Sequence, residues 1–130
     1  MQACKFTINT SVDEVESAVA RVGTIQVEDG IFVLCYEEEN ARVIITLQKG
    51  VARIDRDGDY SLQMQLEEGK TTKSLLSIGG TQGGIVTKTH RVKYSQEGKV
   101  FKLSLRYDLI FSEDEVQKTK LNLKGQIKDR

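Results

Sequence analysis

The sequence predicts an all-β fold, a single antiparallel β-barrel of about ten strands, and three observations carry that expectation. First, Val100 to Phe111 (VFKLSLRYDLIF) alternates strictly. Phe101, Leu103, Leu105, Tyr107, Leu109 and Phe111 share one parity and Lys102, Ser104, Arg106 and Asp108 the other, the period-two pattern of a strand with one dry and one wet face. Second, short apolar runs recur along the chain between turn clusters such as Glu28-Asp29-Gly30, Lys49-Gly50, Asp57-Gly58 and Glu97-Gly98. Third, Pro is absent, as suits a sheet in which nearly every backbone N–H is needed for pairing.

A chain of 130 residues fits one domain, residues 1–130, around one core. Hydrophobic residues make up 38% and charged residues 29%, too apolar a balance for a disordered chain. No apolar run approaches the roughly 20 residues that a membrane helix needs. The opening MQACKFTINTSVDEV has no basic segment followed by an apolar one, so a cytoplasmic protein without membrane attachment is expected. Cys4 and Cys35 sit in strand-like runs rather than at ligand or redox spacing and read as buried thiols. The net charge of zero conceals an asymmetry. Residues 1–70 carry 7 basic and 13 acidic groups, a net of −6, and residues 71–130 carry 12 and 6, a net of +6.

In chain order, Lys5 to Thr10 alternates around Phe6 and Ile8 as a first strand. The next segment supports two readings. Ser11 and Glu14 form an S-x-x-E capping box, and Val12, Val15, Ala18, Val19 and Val22 recur at helical spacing, which would make residues 12–22 a helix. Val15, Val19, Ile25 and Val27 also share one strand face, and β-branched residues abound. A long strand with a bulge or bend at Gly23 is therefore favoured. Ile31 to Tyr36, an apolar run able to pack on both faces, and Val43 to Leu47 follow. Val51 to Asp55 and Tyr60 to Leu66 then form a hairpin, where opposing Ile54 to Tyr60 and Ala52 to Leu62 keeps apolar with apolar and predicts a positive φ at Gly58. Thr71 to Ile78 is a less regular strand, and Gly79 to Gly84 reads as a flexible link into Ile85 through Tyr94. Val116 to Ile127 closes the series.

Apolar matching also registers the last three strands. It opposes Val92 to Leu103, His90 to Leu105 and Lys88 to Tyr107, then Tyr107 to Leu121 and Phe101 to Ile127. Lys88 and His90 then turn inward beside Tyr107. These three are the candidate site for a small molecule held in the barrel mouth, against the plainer reading that they sit near a barrel end satisfied by neighbours or water. The same registers send Arg91, Lys93, Lys102, Arg106, Lys118, Lys120, Lys124 and Lys128 outward, with Asp108 opposite Lys120. Arg91, Lys93, Lys102, Arg106, Lys120 and Lys124 make the alternative site, a surface for nucleic acid or an acidic protein. No aromatic residues interleave with them to stack on bases, and exposed strand Lys also guards against edge pairing.

No constellation for catalysis, metal or cofactor stands out, so a non-catalytic protein without cofactor is expected. There is one His, no Cys/His ligand pattern and no nucleophile motif. Gly79 to Gly84 lacks the Gly-Lys-Ser/Thr ending of a phosphate loop. Asp55, Asp57 and Asp59 copy the start of a calcium loop, but Tyr60 and Leu66 stand where Gly and Glu are required, and Glu37-Glu38-Glu39 reads as a solvated turn. A hydrolase built on two carboxylates from distant strands would be marked by a pair of raised-pKa carboxyls in one pocket.

Several short motifs resemble the YwiB-like family of small bacterial proteins. They are Gly23 ahead of Thr24-Ile25-Gln26-Val27, Leu34-Cys35-Tyr36-Glu37, Arg53 before Asp57-Gly58, Gly69 with Thr71, Thr81-Gln82-Gly83, Thr87 with Thr89, Gly98, Leu105-Arg106-Tyr107-Asp108-Leu109 and Leu121-Asn122-Leu123. The resemblance implies a closed lipocalin-like (calycin) barrel and a cytoplasmic setting, and it implies no established activity.

Overall fold

The computed structural model describes residues 1–128, and its elements are all strands. They are β1 (Gln2–Val12), β2 (Val15–Glu28), β3 (Ile31–Glu38), β4 (Ala41–Gln48), β5 (Val51–Gly58), β6 (Tyr60–Glu67), β7 (Thr71–Ile78), β8 (Thr81–Glu97), β9 (Val100–Ser112) and β10 (Glu115–Ile127). Each strand pairs antiparallel with its sequence neighbours, and β1 pairs with β10 from Cys4↔Ile127 to Val12↔Thr119, so the sheet closes into a ten-stranded barrel. Strand wins over helix for residues 15–22 because β1 pairs with β2 without a break from Gln2↔Ile25 to Val12↔Val15. The helical spacing there is coincidental, and most of these side chains, including Val15, Val19 and Val22, remain exposed. Gly23 is no bulge. It is the point at which the Cys35 carbonyl approaches so closely that no Cβ fits.

Tight turns connect the strands, because the turn residues accept left-handed backbone. Asp29 and Gly30 have φ of 52° and 78°, and Lys49 and Gly50 of 51° and 76°, which suits two-residue primed turns. Gly79 and Gly80 likewise form a turn, and the rest of the supposed flexible link, Thr81 to Gly84, already belongs to β8.

Three registers differ from apolar matching: β8–β9, where Val92 opposes Leu105 rather than Leu103, β5–β6 and β9–β10. In the β5–β6 hairpin, Ile54 opposes Met64 and Ala52 opposes Leu66 rather than Tyr60 and Leu62. Gly58 is not left-handed. It extends β5 beside Ala41, where the Asn40 carbonyl leaves no room for a Cβ. Apolar matching failed here because shifting a strand by an even number of residues leaves every side chain on its own face, so several registers satisfy it equally. The same degeneracy moves β10 by two residues: Tyr107 opposes Thr119, Phe101 opposes Gly125, and Lys118 takes the place beside Asp108 expected for Lys120. A register shift near the β9–β10 turn removes Phe111 from the alternation and leaves it 44% exposed.

The interior is filled by alternate side chains from all the strands except for the far half of β2. Phe6, Ile25, Leu34, Ile45, Leu66, Phe101, Leu103, Leu105 and Leu123 are among those buried in one cluster, joined by Cys4. Cys35 is only half-buried, and both thiols are free. At the end carrying the β2–β3 and β8–β9 turns, Phe32 packs against Tyr94 and Phe101 with ring centroids 4.7 and 6.0 Å apart and plugs the barrel. Two buried hydroxyls, Ser74 Oγ and Thr87 Oγ1, share a 2.6 Å hydrogen bond, whereas Thr89 Oγ1 is buried with no partner. Leaving such a group unpaired costs about 1–3 kcal/mol. Thr89→Val is therefore expected to raise stability by about 1 kcal/mol in urea titration. A destabilised variant would show that the hydroxyl is satisfied.

Candidate functional site

Lys88 and His90 face solvent, contrary to the inward placement expected from the sequence. Val92 and Tyr94 do pack inward, but His90 is an extra residue in β8: Arg91 opposes Arg106, Thr89 opposes Tyr107, and a bulge lies between. The bulge reverses parity, so Ile85, Thr87 and Thr89 fill the interior in place of Val86, Lys88 and His90. His90 Nε2 lies 2.9 Å from Asp108 Oδ2 on the outer surface. Lys88 and Lys118 stand on either side of the same aspartate in the register. Of the three residues expected at an interior site, only Tyr107 is inside.

The six cations of the alternative site all lie exposed on the outer face of β8, β9 and β10. Their registers make a patterned surface. Arg91, Arg106 and Lys120 are directly opposite one another in a row across three strands, and Lys102 opposes Lys124 in a parallel row. Between these rows run Lys93, Ser104 and Asn122, where the Ser104 hydroxyl donates to Asn122 Oδ1 at 2.9 Å. Among the described residues, none of the six cations has a carboxylate within 4.0 Å. Neighbouring strands lie about 4.8 Å apart, so like charges directly opposite repel and cost stability. A shallow depression lined by Arg91, Lys93, Lys102, Lys124, Asn9 and Asn122 follows the rows.

Inside the opposite wall, a second polar group was not foreseen from the sequence. Arg56 shares inward parity with Ala52 and Ile54, and its side chain is only 10% exposed. Its Nε lies 3.3 Å from Glu38 Oε2, its Nη2 lies 2.9 Å from Asp59 Oδ1, and its Nη1 donates to the Tyr60 carbonyl at 2.7 Å. The guanidinium also stacks 3.6 Å from the Tyr60 ring centroid. The signal was present in the sequence, because carrying the Val51 strand one residue past Asp55 puts an arginine on its dry face. The other acidic residues at this hairpin tip have local partners. Asp55 pairs with Arg53 at 3.4 Å, and Asp57 accepts from Ser61 at 3.2 Å. Among the described residues, no group of three or more His, Cys, Asp or Glu is placed to hold a metal ion. Glu38 is not simply solvated, since it holds Arg56.

The comparisons with known proteins agree with this architecture. The model of a family described as "Domain of unknown function (DUF1934)" matches residues 4–123. The chain belongs to this family. Among solved structures, the DUF1934 chain is similar to the ywiB protein from Bacillus subtilis, with a TM-score of 0.82 over 98% of this chain and 93% of that one. At 12% identity that likeness shows a shared fold, the one expected from the short motifs. No curated protein matches the chain.

Tyr36 and Tyr107 line the barrel near Arg56, each 6% exposed. Burial pushes the Tyr107 phenol up to about 12, with a small further rise from nearby Tyr60, and burial raises Tyr36 as well, helped by Glu38. Both remain protonated donors at neutral pH. Above pH 10 an unfolded tyrosine ionises while the folded Tyr107 does not, so the unfolded state binds fewer protons and stability falls as pH rises from about 10 to about 12. That loss should reach about 3 kcal/mol for Tyr107. Urea titrations across this range should show it, and Tyr107→Phe should lessen it. A pH-independent midpoint would contradict the burial.

Proposed function

We infer that this DUF1934 protein binds the phosphodiester backbone of a nucleic acid through the outer face of β8, β9 and β10, without reading bases. The observation that carries this reading is the row Arg91–Arg106–Lys120, three cations directly opposite one another with no carboxylate to neutralise them. Guarding a sheet edge does not account for Lys102, Arg106, Lys120 and Lys124, because β9 and β10 each have neighbours on both sides. A row of negative phosphates would relieve the repulsion, and the amide donors of Asn122 and Asn9 between the charges suit phosphate and sugar oxygens. Tyr94 turns inward against Phe32, so this face offers no ring on which a base can stack. Affinity should therefore be indifferent to sequence and sensitive to salt.

Fluorescence anisotropy with single-stranded RNA of mixed sequence tests this. Each phosphate neutralised contributes about −0.7 to the slope of log K against log salt, so engagement of all the cations predicts a slope of about −4. The triple variant Arg91→Ala, Arg106→Ala, Lys120→Ala should flatten that slope by about 2 while leaving the barrel folded. No binding at low salt, or binding that the triple variant leaves intact, would sink the reading. An acidic protein bound in place of RNA would redirect it.

A further inference from the structure

The far half of β2 has a neighbouring strand on one side only. β1 pairs with it from Val12↔Val15 to Gln2↔Ile25, whereas β3 pairs with it from Glu28↔Ile31 to Gly23↔Tyr36 and then diverges. Residues 15–22 are therefore an open edge. The two-residue turn Asp13-Glu14, with φ of 48° and 71°, closes on the hydrogen-bonded pair Val12↔Val15, so the odd-numbered residues of β2 bond β1. The even-numbered residues point the other way. Thr24, Gln26 and Glu28 of that set bond β3, but the backbone N–H and C=O groups of Glu16, Ala18 and Ala20 meet no strand among the described residues.

Residues 15–22 also lack the devices that keep an edge from pairing. They contain no Lys, Pro or bulge, and Val15 and Val22 are 73% and 70% exposed beside exposed Ala18, Val19 and Ala20. The open side of β8 beyond β7 is different, because the Glu68 carboxylate accepts from the Val92 N–H at 3.2 Å and Lys93 stands next to it. Charge changes sign along the β2 edge. Asp13, Glu14 and Glu16 mark its start, and Arg21 lies at its end, with Lys5 of β1 opposite Val22. There β2 and β3 part in a notch lined by Arg21, Arg42 and a single acid, Glu37. Among the described residues, Glu14, Glu16, Lys5, Arg21 and Arg42 have no oppositely charged group within 4.0 Å.

We propose that this edge pairs antiparallel with the same edge of a second copy of the chain, about a two-fold axis at Ala18, so that the sheets of two barrels join. Ala18 then opposes Ala18 of the second copy and Glu16 opposes its Ala20, each pair exchanging two backbone hydrogen bonds. A second copy is the occupant because the edge is complementary to itself. Antiparallel pairing lays the acidic end of each strand against the basic end of the other, twice by symmetry. On the face that carries the odd-numbered side chains, Val15 and Val19 of the two copies become diagonal neighbours and leave water. The interface is separate from the rows of cations on β8, β9 and β10 and does not depend on nucleic-acid binding.

Sedimentation equilibrium of the full chain over a range of micromolar concentrations tests this. The expected species has the mass of two 14.6 kDa chains and dissociates on dilution. Ala18→Pro removes an N–H that points to the open side and none that bonds β1, so the barrel should keep its circular dichroism spectrum while the dimer dissociates roughly tenfold or more readily. Ala18→Lys is the second variant. It sets two like charges directly opposite each other across the axis and should give a folded monomer. Glu16→Lys should weaken the dimer, and adding Lys5→Glu should restore it, because the two residues face each other only when the strands run antiparallel. A monomer at every concentration, or a dimer unmoved by both Ala18 variants, would overturn the proposal, and a charge swap that fails to restore pairing would overturn its orientation. The outer-face triple variant should dimerise as the parent chain does.

Discussion

Everything in this structure depends on the ladder between β1 and β10, which joins the two ends of the chain. Every other connection is local, a strand and its immediate sequence neighbour, and would leave an open sheet with two exposed edges. The closing contact works because Gly125 sits between Phe6 and Phe101. A Cβ there would lie 2.5 Å from Phe101 and 2.6 Å from Phe6, so only glycine lets both rings reach the core beneath the seam. Closure turns the alternating faces of the strands into an inside and an outside, and each candidate site is defined by that division.

A single extra residue at His90 sorts the polar side chains between the two sides. Without the bulge, β8 would carry Lys88 and His90 into the core, where neither would have a partner. With it, threonines take those places, and His90 meets Asp108 outside. Asp108 also ends the cationic surface, because the next row beyond it, Arg91–Arg106–Lys120, has no acid. The bulge therefore aligns the outer rows as well as repairing the inner face. The charge imbalance between the halves of the chain becomes a separation in space, with Glu37, Glu38, Glu39, Asp55, Asp57 and Asp59 on the wall opposite the basic strands.

The basic outer face rests on an unmet demand. On the outer face, like charges are held closer than their repulsion favours. That arrangement costs the fold stability that a neutral substitution would restore, and residues of that kind are where binding and folding conflict. The plug of Phe32, Tyr94 and Phe101 shows the contrast, since it satisfies packing and leaves little for a partner to gain.

Local pattern by itself determined the number and approximate bounds of the strands, the all-β class, the inward face of Val100 to Leu109 and the exposure of the six cations. These follow from alternation, which each strand carries within its own residues. Alternation repeats every two residues, so it could not distinguish registers two or four apart in β5–β6 or β9–β10. It also carries no mark of an inserted residue, so the reversal at His90 was invisible and two of three interior residues were misplaced. Arg56 and Tyr36 were legible as residues but not as neighbours, because the row joining them crosses strands whose offsets only the closed barrel sets. Those offsets come from non-local contacts, above all the seam between the two ends of the chain, and no local stretch of sequence contains them.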